Sequence, residues 1–341
     1  MSNEYQLQEG NLLDNNGNLN EAGYAFNLVK IYNKENIKVS KLRIKEWDYY
    51  YFGDDNYGIA LTIADNGYMG MGSVSILDFK NKRYINKGNI KWFTLGKLNL
   101  PTTSKKGNVY IGNDNYNISF INENNIRHLK AHFNDINKRS LDIEVYLKET
   151  TPHSMVIATP FNKPKHFYYN QKINLLKLTG SFKFGNLTYK FNEKGLGVLD
   201  WGRGVWTYKN TWYWLSINSY MGNDLIGFNL GCGFGDTSKS SENMFFINDK
   251  VFKLEEVTFN IPLKNKKESF LDKWIIKSKN DDSLYLEFEP ILDRHDFINA
   301  IFLSQDAHQV FGKFNGYLKL ENKTYNFKDL LGFSEKVKNK W

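Results

Sequence analysis

The chain reads Leu42-Arg43-Ile44-Lys45 and continues directly into Glu46-Trp47-Asp48-Tyr49-Tyr50-Tyr51, after which Ile59, Leu61 and Ile63 alternate with other residues. Alternation with a period of two is typical of β-strands, because successive side chains of a strand point to opposite faces. Further segments of this kind lie at residues 73–79, 109–120, 182–189, 284–288 and 310–320. Many short strands separated by turns are typical of β-sandwiches and β-barrels, so the sequence predicts an all-β fold.

The length of the chain predicts into how many domains these strands are divided. With 341 residues, the chain is long enough for about two domains. The proline-containing stretch 151–164 is the best candidate for a boundary, which gives domains of residues 1–165 and 166–341. Helix signals are few, and the best of them lie at residues 22–32 and 329–337. We therefore expect few short helices, one of them near the C-terminus.

The composition excludes several classes of protein. Aromatic residues make up 16% of the chain and charged residues 24%, whereas disordered chains have few aromatics and a lopsided charge. The net charge is +8, but the basic residues are scattered, so no nucleic-acid partner is expected. The single cysteine, Cys232, excludes an intrachain disulfide and is typical of a reducing compartment. No signal pattern and no long apolar stretch are present, so we expect a cytoplasmic protein without a transmembrane segment.

The densest group of candidate functional residues is Gly197-Val198-Leu199-Asp200-Trp201-Gly202-Arg203-Gly204-Val205-Trp206-Thr207-Tyr208, followed by Trp212-Tyr213-Trp214. In an extended strand, Asp200 shares one face with Gly202 and Gly204, which leaves space beside the carboxyl as in the wall of a cavity. Trp201 and Arg203 share the opposite face, where the guanidinium can stack on the indole. A glycine bulge would instead bring Asp200 and Arg203 together as a structural ion pair. The sequence leaves both arrangements open.

Two further segments contain candidate ligand-binding residues. In the segment 227–235, glycine alternates with other residues, and one face is bare except for Asn229. Something must approach this backbone closely, which is either a second sheet layer or a ligand. The pair His308-Gln309 offers a proton donor and a hydrogen-bonding amide, although a lone histidine is more often structural.

No pattern for a metal or a cofactor is present in the sequence. His128 and His132 have the spacing of one helix face, but they lack the glutamate of the metalloprotease motif. We find no phosphate-binding loop, dinucleotide fingerprint or serine elbow. The sequence therefore predicts no metal site and no cofactor.

Several segments together resemble one known family. They are Glu46-Trp47-Asp48-Tyr49-Tyr50, Asp200-Trp201-Gly202-Arg203-Gly204, Asn229-x-Gly231-x-Gly233-x-Gly235-Asp236, His308-Gln309-x-Phe311-Gly312, and Gly332-Phe333-x-Glu335 with Trp341. The family is domain of unknown function 2804, and the likeness extends over nearly the whole chain. The family is distantly similar to two-barrel, lipocalin-like proteins that include carotenoid 1,2-hydratases. The resemblance implies two lipocalin-like (calycin-like) antiparallel β-barrels or half-barrels in tandem.

The chain departs from these hydratase-like relatives at one motif. The relatives carry Asp-His-x-Trp-Gly where this chain has Asp200-Trp201-Gly202-Arg203-Gly204, so Trp201 and Arg203 replace the His and the Trp. The strand that follows has no Tyr-x-Asp pair. We interpret Trp201 and Arg203 as a structural motif. Asp200 is then the acidic residue that the chain retains from the motif of the relatives.

We predict a cavity in or beside the C-terminal barrel that binds a lipophilic small molecule. The candidate catalytic residues are Asp200 and His308, and the candidate ligand-binding residues are Trp206, Tyr208, Trp212, Trp214, Asn229 and Gln309. A protonated Asp200 in apolar surroundings would deliver a proton to an alkene, as in a hydratase, isomerase or cyclase. Two alternatives stay open: a carrier without chemistry, and a carbohydrate- or glycolipid-binding module. The sequence does not indicate an oligomeric state.

Overall fold

The computed structural model describes residues 4–300, 303–321 and 323–341. These residues form 26 β-strands and two 3₁₀ helices, Lys34–Asn36 and Lys41–Arg43. The first strands are β1 (Gly10–Asn11), β2 (Gly23–Ala25), β3 (Lys30–Ile31), β4 (Ile44–Gly53), β5 (Tyr57–Asp65), β6 (Met69–Asp78), β7 (Arg83–Trp92), β8 (Val109–Asn113), β9 (Tyr116–Glu123), β10 (Ile126–Ile136), β11 (Arg139–Lys148), β12 (Met155–Pro160), β13 (Phe167–Phe184), β14 (Leu187–Lys190) and β15 (Leu196–Val205). The strands that follow are β16 (Lys209–Met221), β17 (Asp224–Cys232), β18 (Met244–Ile247), β19 (Lys250–Lys253), β20 (Val257–Asn260), β21 (Leu263–Lys264), β22 (Lys267–Glu268), β23 (Trp274–Ser278), β24 (Leu284–Ala300), β25 (Leu303–Leu320) and β26 (Lys323–Lys340). Within the same residues, no helix has the length and apolar character that a membrane crossing requires.

The first sheet has 13 strands. Its main path runs in the order β7-β6-β5-β4-β15-β13-β11-β10-β9-β8, while β12 and β14 pair with β13, and β2 pairs with β12. The alternating apolar residues of these strands face a common core that includes Phe52, Leu61, Phe120, Phe133 and Phe182. Because one face of the sheet must be covered, the sheet curls around this core as a half-barrel.

The second sheet has 9 strands in the order β19-β18-β17-β16-β26-β25-β24-β23-β20. It curls in the same way around a second core, which includes Phe228, Phe245, Trp274, Phe288 and Phe314. The prediction of an all-β protein with two half-barrels in tandem is thus confirmed.

The predicted helix near the C-terminus is wrong, and so is the helix predicted at residues 22–32. Residues 329–337 belong to β26, which pairs with β16 on one side and with β25 on the other. Two long neighbouring strands satisfy the backbone N–H and C=O groups of β26, and this pairing overrides a weak local helix preference. Residues 22–32 contain the short strands β2 and β3.

The chain changes from the first sheet to the second between Val205 and Lys209. The boundary predicted after residue 165 lies between β12 and β13, two strands that pair with each other. The division into domains at that residue stays a prediction.

The outer faces of the two sheets pack against each other. Tyr49 and Val198 of the first sheet form one apolar cluster with Trp214, Phe311 and Phe333 of the second sheet. The candidate site described below lies at this junction, beside the second half-barrel.

Candidate functional site

On the first sheet, polar side chains stand side by side on the adjacent strands β13, β15 and β4. The register places Lys172 opposite Asp200 and Asp200 opposite Tyr49, and directly opposed residues of antiparallel strands point to the same face. Lys172 Nζ lies 2.9 Å from Asp200 Oδ2, and Asn170 Nδ2 donates to Asp200 Oδ1 at 2.6 Å. Both oxygens of Asp200 therefore already have a donor, one of which is a cation.

A second polar row lies on the adjacent strands β16, β26 and β25 of the other sheet. Trp214 is opposite Glu335, and Glu335 is opposite Gln309. Trp212 Nε1 donates to Glu335 Oε1 at 2.8 Å, and Gln309 Nε2 donates to Glu335 Oε2 at 3.1 Å. Tyr49 connects the two rows, because its hydroxyl donates to Gln309 Oε1 at 3.1 Å. Within the part of the chain that the structure describes, the hydrogen-bond donors to the Glu335 carboxyl are thus neutral.

Burial raises the pKa of the Glu335 carboxyl to about 7. The indole hydrogen bond from Trp212 and the positive charges of Lys172 and Arg294 oppose this shift, whereas the negative charge of Asp200 adds to it. A carboxyl with this pKa exchanges its proton near neutral pH, which is the property that a general acid requires.

Aromatic rings surround these carboxyls. The rings of the site are Trp47, Tyr49, Tyr168, Trp206, Trp212, Trp214, Phe234 and Trp341. Trp206 lies at their centre, with its ring 4.9 Å from Trp47, 4.8 Å from Phe234 and 6.0 Å from Trp212 between centroids. Trp47 can occupy its place only because residue 202 is a glycine: a Cβ at Gly202 would overlap the indole.

Two adjoining cavities lie among these groups. The larger has a volume of about 200 Å³ and the smaller about 100 Å³. Asp200 and Glu335 border both cavities, Arg294 and Gln309 border the larger, and Lys172 borders the smaller. Ligand sites for drug-sized molecules typically measure about 300–1,000 Å³. A ligand of this site is therefore small, or the indoles between the cavities move apart when it enters.

Tyr168 and Glu242 border the smaller cavity as well. The hydroxyl of Tyr168 has no hydrogen-bond partner in the described part of the chain. Burial raises the pKa of Glu242, while the charge of Lys172 and a hydrogen bond from Asn229 oppose this. A Cβ at Gly231 would overlap the Glu242 carboxyl, which explains one of the alternating glycines of β17. A side chain of the same half-barrel therefore approaches this backbone.

A third cavity, of about 160 Å³, lies further along the junction. Its wall contains Asp54, Asp55 and Lys194 but no tryptophan among the described residues. It lacks the combination of buried carboxyls and indoles that distinguishes the two cavities around Glu335.

The structure brings together five of the residues predicted for the site. Asp200, Trp206, Trp212, Trp214 and Gln309 all border the larger cavity. Asn229 lies behind the wall, where it accepts a hydrogen bond from Trp214 Nε1 at 2.8 Å and donates to Glu242. Tyr208 is 44% exposed and borders neither cavity.

His308 is not brought together with Asp200. It neighbours Gln309 in β25, so its side chain points to the opposite face of the sheet, where it pairs with Asp293 at 2.7 Å. The predicted pairing of Asp200 with His308 in one site therefore has no geometric basis in this fold.

Trp201 and Arg203 lie on the other face of β15, inside the first half-barrel. The guanidinium carbon of Arg203 is 4.2 Å from the centroid of the Trp201 ring, which is the stacked arrangement considered from the sequence. Arg203 pairs with Asp48 at 2.9 Å, while Asp200 pairs with Lys172. The alternative ion pair between Asp200 and Arg203 is therefore not formed.

Sequence reasoning missed Lys172, Glu335, Glu242, Tyr168 and Arg294 as site residues. Glu335 stood in one of the quoted family segments, and the other four lie outside them. Lys172, Tyr168, Arg294 and Glu335 reach the site through strand pairing: for example, Glu335 lies opposite Trp214, a partner far away in the sequence. Glu242 lies in the loop between β17 and β18.

The described residues define an all-β protein of two curled half-barrel sheets, with a buried site of carboxyls and indoles at their junction. The chain belongs to the family described as Domain of unknown function (DUF2804), whose model matches residues 3–341. No curated protein matches the chain by sequence.

Solved structures with a similar fold extend over nearly the whole chain. Kievitone hydratase from Nectria haematococca is 13% identical, with a TM-score of 0.53, over 99% of this chain and 98% of the hydratase. An AttH-type protein from Nitrosomonas europaea is 10% identical, with a TM-score of 0.52, over 91% of this chain and 96% of that protein. At these identities the likeness shows the shared fold.

Proposed function

We propose that this protein binds a small, neutral, lipophilic molecule in the two cavities and transfers a proton to it from Glu335, as a hydratase, isomerase or cyclase. One observation carries the proposal: a carboxyl with a pKa of about 7 is buried against a cavity lined by indoles. A buried carboxylate is normally paired with a cation, whereas within the described residues the Glu335 carboxyl accepts hydrogen bonds from the neutral donors Trp212 and Gln309.

The lining of the cavities favours an apolar ligand without a negative charge. Four carboxyls border the two cavities, against the two cations Lys172 and Arg294; they are Asp200, Glu242, Asp296 and Glu335. An anionic ligand would meet a carboxyl on each side, while a neutral alkene would contact mainly rings. Aromatic faces also stabilise a cation, as the contact of Lys172 Nζ at 3.9 Å from the Trp214 centroid illustrates.

The proposed reaction begins with proton transfer from the Glu335 carboxyl to one carbon of an alkene. The π electrons form the new C–H bond, and the other carbon becomes a carbocation that faces the indoles. In a hydration, water then bonds to the cation through its oxygen and returns a proton to the Glu335 carboxylate. In an isomerisation, the carboxylate instead removes a proton from a neighbouring carbon. Either way the carboxyl is regenerated.

Asp200 is the second candidate for the proton donor. Its oxygens accept from Lys172 and Asn170, so it has a cation as a direct partner, unlike Glu335. We propose that Asp200 holds Lys172 in place and that its negative charge keeps the Glu335 proton bound. The name of one structural relative, kievitone hydratase, supports the class of reaction through the shared fold alone.

The test combines a binding probe with a search for chemistry. Binding of the neutral fluorophore N-phenyl-1-naphthylamine is followed by fluorescence and by displacement with neutral isoprenoid alkenes. The same alkenes are incubated with the protein in D₂O, and mass spectrometry detects deuterium on carbon or the gain of water. We expect displacement of the probe and turnover of at least one alkene. Glu335→Gln should keep probe affinity and lower turnover by at least about 100-fold.

Two matched variants separate the alternatives. Glu242→Gln removes another buried carboxyl of the smaller cavity and should lower turnover much less than Glu335→Gln. If Asp200→Asn abolishes turnover while Glu335→Gln retains it, Asp200 is the donor. Displacement without turnover of any alkene indicates a carrier, and displacement by oligosaccharides alone indicates the carbohydrate-binding alternative. A protein that binds neither the probe nor an alkene contradicts the proposal as a whole.

A further inference from the structure

A second group of ionisable side chains lies on the far face of the second sheet, away from the cavities. In the β24–β25 hairpin, His295 is directly opposite His308. His295 Nε2 lies 2.8 Å from Asp306 Oδ1, and His308 Nε2 lies 3.5 Å from the same oxygen. One ligand atom from each of the three residues falls within 4.8 Å of the others. Two imidazoles and a carboxylate therefore lie around one small volume.

His308 is held in the orientation that a metal ligand needs. Its Nδ1 lies 2.7 Å from Asp293 Oδ2, and its ring stacks on Phe270 with centroids 3.6 Å apart. A carboxylate that accepts the Nδ1 proton fixes the tautomer, so the lone pair of Nε2 is free and points towards Asp306. Histidine ligands of metals typically have such a carboxylate behind them. His308 and Asp293 are both largely buried, which limits their movement.

His295 supplies the adaptable part of the group. Its ring stacks on that of His308 with centroids 3.9 Å apart and planes 7° from parallel. Lone pairs of parallel rings do not converge, so one ring must turn for both nitrogens to share an ion. The His295 side chain is 39% exposed and its carboxylate partner Asp306 is 41% exposed, so both are free to turn.

We propose that His295, His308 and Asp306 form a binding site for one divalent transition-metal ion of the kind that imidazole prefers, such as Zn²⁺. Two imidazole nitrogens and one carboxylate oxygen form a three-ligand set typical of such ions, and solvent completes the coordination. Asp293 acts as the positioning residue behind His308.

The charge around this group is compatible with a cation. Lys336 lies opposite His308 in the register, but its ammonium is paired with Glu268. Asp293 and Asp306 then supply two negative charges beside the two imidazoles. The bound ion would join β24 to β25 by their side chains, on the face opposite Arg294 and Gln309 of the cavity.

A group around one other histidine, His132, provides a matched control. His132 Nδ1 lies 2.6 Å from Asp142 Oδ1, and His132 Nε2 lies 2.7 Å from Asn134 Oδ1. This group is also exposed and lies on adjacent strands, but it has a single imidazole and an amide in place of the second one. It should not hold the ion, because one imidazole and one carboxylate are a weak ligand set.

The experiment titrates metal-free protein with Zn²⁺ by calorimetry and with Co²⁺ by visible absorption. We expect one saturable equivalent of Zn²⁺ in the wild type and in His132→Ala, with Co²⁺ bands that report nitrogen and oxygen ligands. His295→Ala and His308→Ala should each abolish saturable binding. Asp293→Asn should weaken binding by about 10–100-fold, as expected for a residue that orients a ligand.

His295 is exposed, so His295→Ala should keep the thermal unfolding temperature of the metal-free wild type and gives a result even if His308→Ala fails to fold. Saturable Zn²⁺ binding that survives His295→Ala overturns the proposal, as does a wild-type Kd weaker than about 1 mM. If Zn²⁺ binding is lost in His132→Ala instead, the ion belongs to the other histidine group and the assignment is wrong.

Discussion

Strand β15 carries a charged side chain on each of its faces, and the two side chains differ in their hydrogen-bond partners and in their access to a cavity. On the inner face, Arg203 is fully buried and all five of its N–H groups donate. The acceptors are the carbonyls of Trp47, Gly202 and Pro101 and the carboxylate of Asp48. No donor of the guanidinium is left for a ligand, and Trp201 covers its face.

On the outer face, Asp200 borders two cavities and lies near a second carboxyl, whose hydrogen-bond donors among the described residues are neutral. Burial raises the pKa of that carboxyl, Glu335, to about 7, and the hydroxyl of Tyr168 in the same wall has no hydrogen-bond partner in the described residues. The difference shows how a buried polar group reveals its role. A charged group whose hydrogen-bond donors all have partners within the protein stabilises the fold. Polar groups that face a cavity and can still form hydrogen bonds are available to a ligand.

The largest effect should come from removing the cation of the inner face. Arg203→Met leaves the Asp48 carboxylate and three carbonyls buried without their donor. Removing one partner of a buried ion pair typically costs about 3–5 kcal/mol, and we expect a loss of this size in the free energy of unfolding, measured with urea. Arg203→Lys keeps the charge but not the planar set of five donors, so it should restore only part of the loss. A loss below about 1 kcal/mol for Arg203→Met would contradict a structural role.

The next effect tests the outer face through its pH dependence. The pKa of Glu335 is raised from 4.5 to about 7 by burial, so between these values the folded state binds more protons than the unfolded state. Stability from this group is therefore complete below pH 4.5 and is lost as the pH rises towards 7. At about 1.4 kcal/mol per pKa unit, the loss is about 3 kcal/mol.

Glutamine at this position cannot ionise, so Glu335→Gln should remove that part of the slope. The measurement is the free energy of unfolding of wild type and variant at pH 5 and pH 8. Relative to the wild type, Glu335→Gln should gain stability as the pH rises. Burial raises the pKa of Glu242 too, and its contribution cancels in the difference between the two proteins. A difference that is the same at both pH values would show that Glu335 is ionised throughout.

The same two faces show what could be predicted from the sequence. Alternation along β4, β5 and β15 is local, so it predicted the strands, and it offered the separation of Asp200 from Arg203 onto opposite faces as one of two open arrangements. Strand pairing is not local, and the helix predicted over residues 329–337 concealed that Glu335 stands in a row with Trp214. His308 was assigned to the cavity with Gln309, although neighbours in a strand point to opposite faces. The sequence could thus show which residues of one strand share a face, but it could not show which residues lie opposite each other on paired strands.

The smallest expected change in the free energy of unfolding distinguishes two tyrosines of the site. The hydroxyl of one forms a hydrogen bond within the protein, and that of the other does not. Tyr49 donates to Gln309 across the junction at 3.1 Å, so Tyr49→Phe leaves a buried amide oxygen without its donor and should cost about 1 kcal/mol. Tyr168→Phe removes a hydroxyl without a hydrogen-bond partner among the described residues, and should leave the free energy of unfolding within about 0.5 kcal/mol of the wild type. Urea unfolding measures both free energies. N-phenyl-1-naphthylamine fluorescence measures ligand binding in the cavity. Tyr168→Phe should change the binding of alkenes that carry a hydroxyl but not that of the probe. Equal stability losses in the two variants would mean that the Tyr168 hydroxyl already forms a hydrogen bond within the protein. Tyr168 would then not be a polar group that is available to a ligand.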